Sequence, residues 1–446
     1  MEHGKHTVRA RLAAAAYKAR FAHAAPGWSL GSKEKAKGKA RLGKQAILLL
    51  AVQGLYGTAN ALSGTFVPVY LWKASQSFAV IGWFSLAQHL VSGLTFQVAG
   101  RWVKQHNKML VLRGGVIVSG LFYLSVLMLG EAARSYVIPL GMLNGIAAGL
   151  FWMSYNVIYF EITGPDTRDR FNGWAGLLGS GAGMFAPWIS GLVIGISGGN
   201  AGYRIIFGIS LGIFAVATIV SFFLAKRKTA GRYEWVYGFR QLGRKGSPWR
   251  GAFPSLVAQG VREGVFMFLL GLLVFLSTGK EQSLGNFTLW TSLVALLSFW
   301  LVGRRLHARN RSKAMLIGAA VVSAITAALF VNVGYMTLLG LGIGIALFMP
   351  LYVIPMTSAV FDLIGSSAES AQRREELVVL RECGLIAGRT IGLGIYLLVV
   401  SATQSALALT SVLFAAGAAP LVGWLFIRRR LAEQAAGDRQ AKPQGA

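Results

Sequence analysis

Two opposite charges, Arg262 and Glu263, stand in the middle of the apolar run from Phe253 to Thr278. A helix rises about 1.5 Å per residue, so a span starting at Phe253 carries them about 14 Å deep. That is near the centre of a hydrocarbon layer about 30 Å thick. An ion at that depth faces protein or a wet cavity and needs a partner, because lipid offers none. The chemistry open to the pair is reversible. An arginine grips a carboxylate or phosphate with two parallel hydrogen bonds, and a carboxylate parted from its cation takes up a proton. The bland alternative is an ion pair that only fixes packing.

A second charged group lies in the next-to-last apolar run, where Arg381 and Glu382 are followed by Arg389. Glu382 and Arg389 share a helical face but stand about 10 Å apart by helical rise. Each is therefore expected to pair with another helix and not with the other, Arg262 and Glu263 being the candidates. Arg262, Arg381 and Arg389 outnumber Glu263 and Glu382 by one, unless Glu161 or Asp362 reaches across. A surplus cation disfavours a site for hydrophobic cations and favours a substrate with an anionic or strongly accepting group.

The elements that hold these residues are membrane helices. Hydrophobic residues make up 54% of the 446 and charged residues 13%, and apolar runs longer than 20 residues recur, which defines an all-α polytopic membrane protein. Twelve such runs lie near 45–72, 78–100, 109–130, 136–162, 173–197, 203–225, 254–278, 284–303, 313–333, 336–361, 377–400 and 405–427. The formal net charge of +28 would point to nucleic acid in a soluble chain. Here thirty-seven of the 44 lysines and arginines fall in the tails and alternate loops, so the charge sets orientation, with both termini in the cytoplasm. The reading gives a basic cytoplasmic tail over 1–44, six-helix halves over 45–225 and 253–430, a basic aromatic linker over 226–252 on the inner leaflet, and a cytoplasmic tail over 431–446.

The halves repeat each other. Ile81–Arg101 laid on Leu284–Arg304 gives nine identities in 21 positions, among them Gly100 with Gly303, and the register continues to pair Asn107 with Asn310 and Lys108 with Arg311. Gln53-Gly54 answers Gln259-Gly260, and Phe160-Glu161-Ile162 answers Phe361-Asp362-Leu363. Two halves of the same orientation follow, since six spans return the chain to its starting side.

Polar stripes sketch a cavity. Gln53, Tyr56 and Asn60 recur on one face of the first span, Trp152, Tyr155, Asn156 and Tyr159 on the fourth, and Gln259, Arg262, Glu263 and Phe266 on the seventh. In the tenth, Pro350 and Pro355 flank Tyr352, and a helix broken there would turn a free carbonyl toward a wet interior. Packing between helices or an interfacial belt explains the aromatic residues equally well. The lone Cys383 forms no internal disulfide and reads as a buried thiol. The sequence has no GxxxxGK[ST] loop, no HExxH and no Cys/His metal spacing; neither enzyme, cofactor nor metal is expected.

By its twelve spans, its duplication and its loop motifs, the chain resembles the major facilitator superfamily over about 45 to 430. The family's GxLaDRxGRR loop between helices 2 and 3 looks to be Gly100-Arg101-Trp102-Val103-Lys104-Gln105-His106-Asn107-Lys108. Asn107 stands in place of a glycine and is expected in a left-handed turn. Lys104 and His307 take the usual acidic position in the two halves, so the family's interdomain charge latch is not expected here. The helix 5 antiporter motif GxxxGPxxGG is similar to the stretch 182–191, with Gly183, Pro187 and Gly191, and this likeness points to export. The helix 4 arginine of proton-coupled exporters is missing, its position falling near Gly141. The resemblance implies a monomeric plasma-membrane carrier of a small-molecule substrate, with helices 1, 4, 7 and 10 lining the path. Protons are the expected coupling ion, membrane lipids the surroundings, and nucleic acid no partner. A lipid flippase on the same fold is the first alternative, favoured if the cavity opens sideways to the bilayer. A membrane sensor or scaffold that has lost transport is the second.

Overall fold

The computed structural model describes residues 42–163, 165–226, 231–364, 367–403 and 405–440. The helices are α1 Lys44–Gly64, α2 Val67–Ser75, α3 Phe78–Gln105, α4 Lys108–Leu129, α5 Val137–Ile162, α6 Pro165–Ser197, α7 Gly199–Phe222, α8 Tyr237–Gly243, α9 Trp249–Thr278, α10 Glu281–Arg305, α11 Arg311–Thr326, α12 Tyr335–Ile364, α13 Ala368–Gln372, α14 Arg374–Ala402 and α15 Ala406–Gln440. Pro68 in the first turn of α2 separates α1 from α2 within one crossing. Among the described residues eleven stretches are long and apolar enough to span a membrane, and one of them, Lys108–Ile162, has 55 residues. A single helix of that length would be about 80 Å long, and Gly130 at φ 53° opens the 3₁₀ turn Gly130–Tyr136 that folds it back. Twelve crossings result. The basic tail expected over 1–44 lies outside the described residues up to 41.

Helices α1 to α7 form one bundle and α9 to α15 the other. In the first, α5 packs on α3 and α4, and α1 on α6 and α7; in the second, α14 and α15 pack on α9, and α12 on α10 and α11. The bundles meet along two seams, α3 with α14 and α6 with α10. We call the end with the many lysines and arginines the basic end and the opposite one the far end. Three expectations are corrected. The seventh span begins at Trp249 and runs through Pro254, which stands inside α9 and leaves the Arg250 carbonyl without its helical donor, and α8 forms inside the linker. Helix α12 runs unbroken through Pro350 and Pro355. The last span continues as helix to Gln440, past the expected boundary at 430.

Glycines set the closest approaches. A Cβ at Gly388 of α14 would fall on the carbonyl oxygen of Val257, and one at Gly260 of α9 on that of Leu385, while Gly264 and Gly392 fit the opposite backbone in the same way. Two four-residue glycine repeats thus interlock, which lets backbones approach until short side chains on both helices can meet. Gly388→Val is expected to cut membrane yield of folded protein by more than tenfold, whereas Gly394→Val, with open space at its Cβ, leaves it within twofold. Fluorescence size-exclusion profiles of the two variants check this.

The two seams differ. Along α3 and α14 a constant register holds from end to end: a Cβ at Gly82 would meet Tyr396 and Leu397 and one at Gly93 Ile386, Gln97 donates to Cys383 Sγ at 3.2 Å, and a Cβ at Gly100 would lie 3.0 Å from Val379. Along α6 and α10 contact holds only at the far end. A Cβ at Gly191 would lie 2.8 Å from the Glu281 carbonyl and one at Gly285 2.9 Å from that of Pro187, and Ser292 Oγ donates to the Gly183 carbonyl at 3.3 Å. Toward the basic end Gly173, Gly176, Gly179 and Gly303 have nothing within 4 Å of a Cβ, although Phe171 and Leu178 on the other side of α6 stay packed against Tyr159 and Gly54. The seam gapes there between exposed Trp174, Leu177, Phe299 and Trp300.

Candidate functional site

The interlocked glycines of α9 and α14 bring their charged residues together. Glu263 Oε2 accepts from Arg389 Nη2 at 2.7 Å and from Nε at 3.1 Å. Arg389 Nη1 donates to Glu382 Oε1 at 3.1 Å. The expectation that Glu382 and Arg389 do not pair is therefore wrong. Helical side chains lean toward the N-terminus, and an arginine on the later residue has the length to reach back two turns. Arg381 Nη1 lies 3.4 Å from Glu382 Oε2, and Gln259 Nε2 donates to Glu263 Oε1 at 2.8 Å. The result is one chain, Gln259, Glu263, Arg389, Glu382, Arg381, in which two carboxylates balance two guanidinium groups.

Arg262 takes no part in it. Adjacent helical residues point about 100° apart, so when Glu263 faces α14, Arg262 faces away. It is buried, its guanidinium carbon lies 4.8 Å from the centroid of Phe266, and its Nε has no hydrogen-bond partner. Glu161 and Asp362 do not neutralise it. Glu161 pairs with the buried Lys108, and Asp362 with Arg311 at 3.1 Å, two ion pairs that are equivalents in the repeat. The surplus positive charge of the interior rests on Arg262.

The other cavity candidates divide. Gln53 of α1 accepts from the Tyr155 hydroxyl of α5 at 2.6 Å. Tyr56 is stacked on Phe151 with ring centroids 3.4 Å apart, and Asn60 donates to its own helix at the Tyr56 carbonyl. Trp152 is exposed and meets Tyr56 and Tyr155 edge-on, while Asn156 is half-buried. Tyr352 is wholly buried, its hydroxyl set where a Cβ at Gly423 would crowd it. It packs against α15 and is coupled electrostatically to Arg262.

At the basic end the expectation of no charge latch is overturned. Lys104, 5% exposed, donates to both oxygens of Glu376 at 2.7 Å and to the Gln372 carbonyl at 3.1 Å, and Glu375 lies 3.4 Å away. The latch across α3 and α14 exists with its polarity reversed. Glu376, 2% exposed, is also bonded by Arg373 at 3.4 Å and by the backbone N–H of Glu234 at 3.2 Å. Arg373 in turn pairs with the Glu234 carboxylate and lies over Tyr237, whose hydroxyl meets Glu369 at 3.1 Å. The linker is strapped into the latch. Burial first, and then the Glu376 carboxylate, push the ionisation of Tyr233 upward, so the phenol packed near Gly100 stays neutral.

The second copy of the motif is different. His307 is exposed, with Nδ1 2.9 Å from the Arg305 carbonyl. Asn107 is not left-handed. At φ −91° it caps α4, its side chain accepting from the Met109 N–H at 3.0 Å, which is what asparagine does best at a helix start. Asn310 precedes α11 at φ −103° without a side-chain cap. Gly141, where the arginine of proton-coupled exporters would fall, packs against the Phe84 backbone carbonyl and the Ala87 side chain and has no room for one. Sequence reasoning missed Glu375 and Glu376, although two acids beside the start of a span facing a basic loop were a readable signal.

The profile of the Major Facilitator Superfamily matches residues 49–372. Protein YqgE of Bacillus subtilis (strain 168) is 38% identical over 370 residues, covering 82% of this chain and 85% of that protein. A Geobacillus stearothermophilus protein encoded in the sodM 3′ region is 41% identical over 188 residues, 42% of this chain and 85% of its own. Among solved structures, the bacterial homologue of the iron transporter ferroportin in its inward-facing state aligns with TM-score 0.66 at 16% identity, covering 88% of this chain and all (100%) of that one. The nucleoside transporter NupG aligns with TM-score 0.64 at 14% identity, covering 86% and 99%.

Proposed function

Because the chain belongs to the major facilitator superfamily, and so is a multi-pass membrane transporter, we propose that it is a secondary carrier that exports a small anionic or amphiphilic molecule in exchange for protons. It works by alternating access, as a monomer in the plasma membrane with both termini in the cytoplasm. The observation that carries the substrate class is Arg262. A buried guanidinium with a sealed, unpartnered Nε over an aromatic face, to which Glu263 and Tyr352 are coupled electrostatically but make no ion pair or hydrogen bond, calls for an anion, and a carboxylate, sulfonate or phosphate supplies one.

Glu263 is the proton-bearing group in this reading. While Arg389 bonds it, the carboxylate stays charged. Glu263 and Arg389 ride in the same bundle and their helices stay interlocked as the halves rock; opening outward hydrates the pair, the Arg389 side chain turns to Glu382 alone, and Glu263 is free to take a proton from outside. Return of the arginine expels the proton inside. The open half of the α6–α10 seam favours a second reading, a flippase, in which the substrate is a lipid-like amphiphile that leaves sideways.

Proteoliposomes loaded with radiolabelled 1-naphthalenesulfonate, a permanently charged amphiphile that carries no proton itself, test both residues. Glu263→Gln is expected to lower acid-driven efflux at least tenfold and to spare exchange at equal concentrations. Arg262→Gln is expected to abolish both, and Arg262→Lys to retain part. Full acid-driven efflux in Glu263→Gln would remove it as the carrier, and full exchange in Arg262→Gln would remove the anion receptor.

A further inference from the structure

At the far end of the molecule only four lysines or arginines occur among the described residues, Lys73, Arg134, Arg204 and Lys280. Basic residues are disfavoured at the outer ends of spans, so the few that stand there are expected to scatter. Three of the four gather about one cavity. It has a volume of about 500 Å³ and is lined by Tyr70, Lys73, Glu131, Arg134, Ser135 and Asn200, from α2, the 3₁₀ turn and the start of α7. Arg204 acts electrostatically on Tyr70 in its wall.

The partners of these groups divide into satisfied and spare. Glu131 accepts from Asn200 at 3.2 Å. Arg134 has only a long contact, 3.4 Å, to the Ala74 carbonyl, which leaves its fork of donors turned to the cavity with capacity unused. Lys73 reaches across the bundles to Glu281 of α10 at 2.5 Å, its ammonium 5.3 Å from the Tyr203 ring and 5.6 Å from that of Phe275. Glu281 is buried and also accepts from the Tyr203 hydroxyl at 3.0 Å. Lys73 thus belongs to two places at once: it lines the cavity, and it ties the first bundle to the second.

We propose that this cavity is an anion site, taking the carboxylate or phosphate of a small solute or of a lipid headgroup, and that its occupation draws Lys73 from Glu281 and frees the far-end gate. Arg134 and Lys73 are the receptors. An anion between them gives Lys73 a partner within its own bundle, so the ion bridge ceases to favour the closed arrangement. A ligand that binds the unbridged state better shifts the population toward it. The site stands on its own residues and goes beyond the reading of Arg262.

Spin labels on cysteines at the exposed positions Gln76 and Gln282, in full-length chain with Cys383→Ser in nanodiscs, measure the gap between the bundles. In phosphatidylcholine discs, inorganic phosphate is expected to add a longer distance component, and Arg134→Gln to raise the half-saturating concentration at least tenfold. A response only when phosphatidylglycerol replaces part of the lipid assigns the site to a headgroup; a response to phosphate alone assigns it to a solute. Lys73→Met is expected to show the longer component without any anion. The proposal fails if Lys73→Met widens the gap but neither phosphate nor phosphatidylglycerol does. It fails equally if sodium chloride at matched ionic strength, or Arg134→Gln, reproduces the full response, since that is screening.

Discussion

Lys104→Glu will open the α3–α14 seam at the basic end. The substitution sets a third carboxylate against Glu375 and Glu376 where a buried ammonium now bonds both oxygens of Glu376. Breaking a buried ion pair by removing one partner costs about 3–5 kcal/mol, and the repulsion adds to it. The native Cys383 reads the outcome, because it is the only cysteine, lies on the same seam and is held by Gln97. N-ethylmaleimide labelling of Cys383 is expected to rise at least tenfold, with transport falling by a similar factor. The reversed pair Lys104→Glu with Glu376→Lys should recover only part of both. Arg373 and the Glu234 N–H remain, and both are placed for a carboxylate. Unchanged labelling in Lys104→Glu would mean that apolar contacts alone hold the seam.

The second large effect concerns Arg389. Arg389→Gln strands two half-buried carboxylates, Glu263 and Glu382, leaving Arg381 at 3.4 Å from one of them. Glu263→Gln strands no charge, since Arg389 keeps Glu382. The arginine variant is therefore expected to lower the melting temperature far more than the glutamate variant. The double variant should melt above Arg389→Gln alone, because one uncompensated anion has gone. A double-mutant cycle on the purified proteins measures this, and additive losses would show that the two residues do not share a network.

The sequence disclosed the twelve crossings, the repeat and the depth of the charged residues, because hydropathy and internal identity are local properties. It also showed that Glu263 and Arg389 had to find partners. What it hid were distances set by packing. That Arg389 serves Glu263 and Glu382 together depends on how closely α9 and α14 approach, which Gly260, Gly264, Gly388 and Gly392 determine. The reversed latch joins Lys104 to a residue 272 positions away, and no periodicity marks that meeting. Asn107 was misread because asparagine suits both a left-handed turn and a helix cap. Only the capping hydrogen bond tells them apart.

Phe160 and Phe361 are equivalents in the repeat, and they touch each other across the bundles with ring centroids 6.2 Å apart. A contact between equivalents lies on the pseudo-two-fold axis. In a homodimer of single six-helix subunits this phenylalanine would have met its own copy, and such an interface is isologous, so both seams would have closed with identical residues. Halves joined in one chain are free of that restraint. With each half free to differ, one seam carries Lys104 against Glu376 while its twin carries a histidine facing water. A barrier locked on one flank and ajar on the other is a form that no symmetric dimer can take.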